Sequence, residues 1–366
     1  MPQIGAAQVA LVNPPSLKLD FTGAANLADM DMIDSAVRET LVGVINSIVT
    51  LPTRYYVPIA ADNDYFKTYI PPVGIIRITV EKAWGFSKES KSATQKFIAK
   101  LTRAAPDCYA RVHVGAEEPY KTGTKNNTTT PAWGETHDFI VTDLDQYIKV
   151  DVDDEDIGGD DDVGDAITSV RDMIANGGHQ ELGLTYKGED TGGKIALSCQ
   201  YFDLENSTGS FSASDHKGQG RYCGLATVLV GGAYNIQGNR EELKPSVVVK
   251  CGDKHRFQTA VKSATPGLDV HNPTFDQNFR IPMTEDLAGR VNFHIALMNG
   301  EKEMGGVDVP FEEVQNAEEC TLSKRFDVGG GTEVRACISL KGMKAASMQQ
   351  QSLPERPKEH SGSQQA

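Results

Sequence analysis

From residue 73 onward, short runs of alternating apolar and polar positions are separated by Gly, Pro, Asn and Asp, the pattern of half-buried strands in a β-sandwich. In one such run Ile148, Val150 and Val152 alternate with Lys149, Asp151 and Asp153. Before Pro71-Pro72 the pattern differs. Residues 32–49 place Ile33, Val37, Leu41, Val44 and Ile48 on one face at helical spacing, which predicts a helix between strands at 16–21 and 55–59. That apolar face needs a surface to pack on.

The β-rich part opens and closes twice. VGIIRITV (73–80) and KIALSCQYF (194–202) bound one segment, and GLATVLV (224–230) and EVRACISL (333–340) bound the next. Such a recurrence predicts a tandem repeat of one sandwich type. Residues 205–221, rich in Ser and Gly, read as a flexible linker, and the Gln-rich tail at 344–366 reads as disordered.

A chain of 366 residues with 39% hydrophobic content can build more than one ordinary core. Its net charge of −14 argues against general nucleic-acid binding, which needs a basic surface. The excess is local. Residues 143–165 hold eleven acidic side chains against Lys149 alone, a charge of −10. Six singly spread cysteines without a CxxC pair suggest neither zinc nor a disulfide framework, so a reducing, cytoplasmic setting is expected. No signal peptide is read at the N-terminus, and the most apolar stretch, 41–51, is shorter than the roughly 20 residues a membrane span needs. Eight scattered histidines, without HExxH or a nucleophile elbow, leave no enzymatic site. Gly218-x-Gly220 and Gly329-Gly330-Gly331 lack the strand-to-helix context of a phosphate loop.

The acidic run starts at the end of a predicted strand and passes from Asp154-Glu155-Asp156 through Gly158-Gly159 to Asp160-Asp161-Asp162. Crowded carboxylates repel one another, and a hard divalent cation taking six to eight oxygens relieves the repulsion. Calcium is the natural candidate. A solvated acidic loop is the plainer alternative and stays open. An EF-hand is disfavoured by the preceding strand and by Asp165 where Glu belongs.

The order of the motifs carries a family resemblance. The opening strand at 74–80, Pro106-Asp107-Cys108-Tyr109, Pro131-Ala132-Trp133-Gly134-Glu135, and Asp154-Glu155-Asp156 followed by Asp161-x-x-Gly164 come in the order found in C2 domains, calcium- and phospholipid-binding sandwiches of eight antiparallel strands. The resemblance implies calcium ligation by Asp107, Asp154, Asp156 and Asp161, with Asp162 or Asp160 as a further ligand. The stretch 84–92 departs from the family, offering only Glu89 where another Asp is usual. Calcium would partly neutralise the loop and admit anionic head groups.

In the long first loop, 93–104, Lys96, Lys100 and Arg103 recur at helical spacing beside Phe97 and Leu101. This basic amphipathic turn either docks on an anionic membrane or covers a sandwich edge. The second segment repeats the frame but carries Lys244, Asn299 and Glu301 where the first has its aspartates, so it resembles a C2 domain without calcium binding. A strand predicted over 254–262 puts Lys254, Arg256 and Lys262 on one face, with Lys250 close by. Anionic lipid binding there, including phosphoinositides, is one reading and a solvated basic strand the other.

A helix followed by Leu51-Pro52-Thr53-Arg54-Tyr55-Tyr56-Val57-Pro58, directly before a C2 domain, resembles the end of the tubular lipid-transfer domain of extended synaptotagmins and tricalbins. The expected fold is therefore mainly β: two antiparallel eight-stranded C2-type β-sandwiches in tandem, preceded by a short α+β fragment. Expected boundaries are 1–70 for the lipid-transfer fragment, 73–204 for the calcium-type domain, 205–221 for the linker, 222–343 for the calcium-independent domain and 344–366 for the tail. The resemblance implies calcium-regulated peripheral binding to anionic phospholipid membranes within a tethering and lipid-transfer protein at endoplasmic reticulum contact sites. The alternative is a calcium-insensitive scaffold whose second domain binds protein partners.

Overall fold

The computed structural model describes residues 4–19, 30–60, 63–85, 105–156, 160–212 and 220–346, with backbone alone at 30–35. Among them each half of the β-rich part supplies eight strands. The first sandwich comprises β3 (Gly74–Trp84), β4 (Cys108–Val114), β5 (Tyr120–Lys121), β6 (Ala132–Val141), β7 (Tyr147–Asp154), β8 (Asp161–Ser169), β9 (His179–Tyr186) and β10 (Glu189–Glu205). A short helix, Val170–Ala175, caps β8, its start fixed by the Ser169 hydroxyl accepting from Asp172 N–H. The second comprises β11 (Tyr222–Tyr234), β12 (Pro245–Cys251), β13 (His255–Gln258), β14 (Thr274–Thr284), β15 (Phe293–Asn299), β16 (Lys302–Val309), β17 (Thr321–Gly329) and β18 (Thr332–Ala345).

Alternation decides which residues make each core. In β7 the burial pattern switches at every position, sending Ile148, Val150 and Val152 inward and Lys149, Asp151 and Asp153 outward. They join Ile76, Ile78, Val112 and Leu197 in the first core. A separate core holds Val228, Val247, Val249, Ile295, Phe293 and Ile338.

All sheet pairings between the named strands are antiparallel. In the second sandwich β13-β12-β15-β16 form one sheet, while β14, β11, β18 and β17 join the strands of the first sandwich in a twelve-stranded sheet. The junction is the pairing of β10 with β18, from Phe202↔Ala345 to Glu205↔Gly342. Beneath it Ile75, Phe202 and Met343 form a small apolar cluster. Beside that cluster, Arg77 binds Asp138 at 2.7 Å with both side chains almost fully buried. Asp138 Oδ2 also accepts from Tyr222 N–H at 2.8 Å, which ties the pair to the first strand of the second sandwich.

The stretch expected as a linker is partly built into the fold. Residues up to Glu205 belong to β10, and a 3₁₀ turn at Gly209–Ser212 sets Phe211 into the second core. Residues 213–219 and the tail from 347 lie outside the described residues.

At the N-terminus, β1 (Ala6–Val9) pairs with β2 (Tyr55–Pro58) around the helix α1 (Met30–Val49). No strand forms over residues 16–19 of the one expected at 16–21. The chain just before it is committed elsewhere: Asn13 donates to Asp145 O and accepts from Tyr147 N–H, docking this stretch on the start of β7. The apolar face of α1 has no cover among the described residues, and Val37, Leu41, Val44 and Ile48 are exposed. A one-turn helix, α2 (Tyr65–Thr68), capped by Asp64, fastens the fragment to the second sandwich. Arg335 donates to both Asp64 oxygens at 2.9 Å and lies over the Phe66 ring. No helix among the described residues is long and apolar enough to cross a membrane.

Candidate functional site

Two loops meet at one rim of the first sandwich. Asp107 ends one of them, just before β4; the other leaves β7 at Asp154 and returns in β8 at Asp161. Pairing of Cys108 with Asp154, and of Asp154 with Asp161, places all three aspartates at adjoining strand ends. Asp154 keeps the inward parity of Val150 and Val152, so it is only 4% exposed. Its burial is matched by hydrogen bonding. Asp107 N–H donates to Asp154 Oδ1 at 2.7 Å, and Asn127 N–H donates to Asp107 Oδ1 at 2.6 Å. Backbone donors thus orient two carboxylates, while Asp156 stands exposed beside them.

The neighbouring acids face elsewhere. Tyr109 donates its hydroxyl to Asp160 Oδ2 at 2.6 Å and accepts from Arg111, while Lys121 sits 3.5 Å from the Tyr109 ring centroid and 3.2 Å from Glu155. Burial, reinforced by the Asp160 carboxylate, holds the Tyr109 phenol well above its usual range. The hydroxyls of Tyr109 and Thr124 hold Asp160 and Glu155 respectively below theirs. A register shift between Val152 and Asp153 sets Asp162 opposite Asp153 on the outer face, away from Asp154. Partial withdrawal from water, followed by the charges of Asp153, Asp151 and Asp165, pushes Asp162 up to about 6. Tyr109, Arg111 and Lys121, which divide the acidic residues into two groups, were not singled out from the sequence. Their signal was the outward parity of β4 and β5.

Asp107, Asp154, Asp156 and Asp161 are hard oxygen donors of the type calcium prefers. Among the described residues no group of three His, Cys, Asp or Glu side chains is close enough to hold a metal ion. Residues 157–159 of the acidic loop lie outside the described residues, as do Lys96, Phe97, Lys100, Leu101 and Arg103.

In the second sandwich Lys244 and Asn299 occupy the corresponding rim, since Pro245 pairs with Asn299 as Cys108 pairs with Asp154. Glu301 follows Asn299 by two residues, as Asp156 follows Asp154. Lys250 lies opposite Arg256 on the outer face of β12 and β13, and Lys254 is exposed in the turn joining them. Lys262 is not brought to this group. The strand ends at Gln258 and the chain turns back, so that Lys262 N–H donates to Pro245 O at the other end of β12.

The C2 domain family model matches residues 74–184 and 224–325, together more than half of the chain. Extended synaptotagmin-1 of Mus musculus is 24% identical over 90% of this chain, and extended synaptotagmin-2 of Homo sapiens 21% identical over 93%. The chain spans 30% and 37% of the length of these two relatives. A solved structure of the SMP domain and both following C2 domains of extended synaptotagmin 2 covers 94% of this chain with a TM-score of 0.65 at 18% identity, and this chain covers 73% of it. A calcium-bound structure of the same two C2 domains covers 76% of this chain, and is itself covered in full, with a TM-score of 0.62 at 18% identity. The chain belongs to the C2-domain family, carries two such domains in tandem and is homologous to the extended synaptotagmins.

Proposed function

We propose that this chain binds anionic phospholipid membranes peripherally under calcium control, as the C2 portion of a tethering and lipid-transfer protein acting at endoplasmic reticulum contact sites. The observation that carries the reading is the inward-facing Asp154 carboxylate, oriented by Asp107 N–H and lying in register with Asp161. Bound calcium supplies the positive charge that lets anionic head groups approach an acidic rim. Asp107, Asp154, Asp156 and Asp161 hold it in this reading, with Asp162 on the adjoining outer face. Lys96, Lys100 and Arg103 meet the lipid surface, with Phe97 and Leu101 entering its interface. Lys250, Lys254 and Arg256 give the second domain attraction for anionic lipid without calcium. The exposed apolar face of α1, beside the β1–β2 pair, is the closing part of a lipid-transfer domain.

The test is co-sedimentation with phosphatidylcholine–phosphatidylserine vesicles, with calcium or with chelator, for wild type and for Asp154→Asn/Asp156→Asn. Calcium strengthens wild-type binding, and the double variant loses about tenfold or more of that gain as two ligand charges disappear. Calcium-indifferent binding by wild type would overturn the reading in favour of a scaffold.

A further inference from the structure

The N-terminal fragment is followed in sequence by the first sandwich, yet α2 seats on the second. Tyr65 is buried there, and its hydroxyl accepts from Asn278 of β14 at 3.1 Å. Phe66 meets β11 at Gly231, where a Cβ would come within 3.3 Å of the ring, so the missing side chain makes room for it. The Arg335 guanidinium covers the same ring at 4.3 Å from its centroid while it binds both oxygens of Asp64. At its other side α2 is tied back to its own fragment. Gln8 of β1 donates to Thr68 O at 2.7 Å, and Tyr56 of β2 meets Tyr65 edge-on at 5.3 Å. Holding α2 therefore holds β1 and β2 as well.

This junction is built differently from the one between the sandwiches. Those share a strand ladder and the apolar cluster of Ile75, Phe202 and Met343. Among the described residues no strand of the fragment pairs with either sandwich. Its hold on the first sandwich is the Asn13 side chain on Asp145 and Tyr147, and its hold on the second is the ion pair, the Tyr65–Asn278 bond and the Phe66 ring. Beside that seat a cavity of about 390 Å³ stays open, lined by Tyr56, Tyr65 and Tyr69 of the fragment and by Phe257, Asp276 and Asn278 of the second sandwich. A core would fill such a space, and a small polar contact between parts of a chain separates far more easily than a core does. We propose that the face of β11, β14 and β18 around Gly231, Asn278 and Arg335 is a docking surface for residues 64–69 that works as a reversible latch. Closed, it makes the fragment and both sandwiches one body; open, it frees the fragment while the sandwiches stay joined. The latch goes beyond the membrane reading and does not depend on it.

The experiment is amide hydrogen exchange of the full chain, read by mass spectrometry at residues 64–69 and, as an internal reference, at 342–345, where β18 pairs with β10. Residues 64–69 are expected to be protected in wild type but less so than 342–345. Arg335→Glu turns the ion pair into a repulsion, and Phe66→Ala removes the ring from its seat while keeping the Asp64 cap. Each is expected to speed exchange at 64–69 by about tenfold and to leave 342–345 unchanged, which also shows that the variants fold. Arg335→Lys keeps the charge but loses the planar fork, and is expected to speed exchange at 64–69 by about threefold. Unprotected amides at 64–69 in wild type would overturn the docking surface. Indifference of 64–69 to both Arg335→Glu and Phe66→Ala would overturn it too, since the fragment would then be held elsewhere. Equal acceleration at 64–69 and 342–345 would overturn the latch, because the fragment and the sandwiches would then open together.

Discussion

At the rim of the first sandwich Asp107 N–H donates to Asp154 Oδ1 at 2.7 Å, and Glu155 N–H donates back to Asp107 O at 2.9 Å. At the rim of the second, Lys244 N–H donates to Asn299 Oδ1 at 2.6 Å, and Gly300 N–H to Lys244 O at 3.0 Å. Deeper in, Thr122 accepts from Ala110 N–H and Thr259 from Val247 N–H, both at 2.9 Å. An amide oxygen thus takes the structural place of a carboxylate oxygen. The loop junction needs an acceptor at that position, whereas only the first copy also supplies charge. The fold therefore accepts either a charged or a neutral acceptor at this position.

The largest expected difference between the copies lies along the interface. Arg77 opposes Asp138 in the first sandwich, and the corresponding pair in the second is Thr227 and Arg280. Arg77→Met strands a buried carboxylate and is expected to cost about 3–5 kcal/mol in urea unfolding. Thr227→Val removes one buried hydroxyl from the equivalent position and is expected to cost no more than about 1 kcal/mol. Equal costs would break the comparison.

A smaller effect tests the rim itself. Asp154→Ala leaves Asp107 N–H without this acceptor and should destabilise by about 1–3 kcal/mol, whereas Asp154→Asn, which installs the amide of the second copy, should cost less than about 1 kcal/mol. Calcium titration separates the two roles, because both variants lose the charge and only one loses the hydrogen bond.

The smallest effect sharpens a turn. Gly134 and Asp276 sit at equivalent left-handed positions, with φ of 64° and 50°. Burial first, with the Asp64 charge adding, pushes Asp276 up to about 6 from 3.8. Because the folded state holds this proton more tightly, the stabilisation it gives is complete below pH 3.8 and is lost as pH rises through about 6. Asp276→Asn should therefore raise stability by about 1 kcal/mol at pH 7.5, with the gain shrinking toward pH 4 when urea midpoints are compared. Asn also tolerates the left-handed backbone.

Where alternation was strict, the sequence was readable. Ile148, Val150 and Val152 announced both β7 and the arrival of Asp154 at a strand end. The recurring opening and closing runs revealed two copies of one sandwich. Parity failed wherever the strand was not straight. The register shift at Val152/Asp153 changes the face of Asp162, and the end of β13 at Gln258 removes Lys262 from the row of Lys254 and Arg256. Neither a bulge nor a strand end leaves a mark in the order of apolar and polar residues. The Arg77–Asp138 pair was hidden for another reason: its partners are 61 residues apart, and its link to Tyr222 depends on how the sandwiches meet.

The pairing of β10 with β18 has a mechanical consequence. A flexible tether would transmit tension only once fully stretched, leaving each domain free to tumble. Here the closing strands of the two domains share a hydrogen-bonded ladder from Phe202↔Ala345 to Glu205↔Gly342, so a torque on one domain reaches the other through backbone bonds. The ladder also covers a length of strand edge in each domain that, left open, could recruit a foreign strand. Tilting one rim toward a surface carries the other with it, and the pair behaves as a single lever.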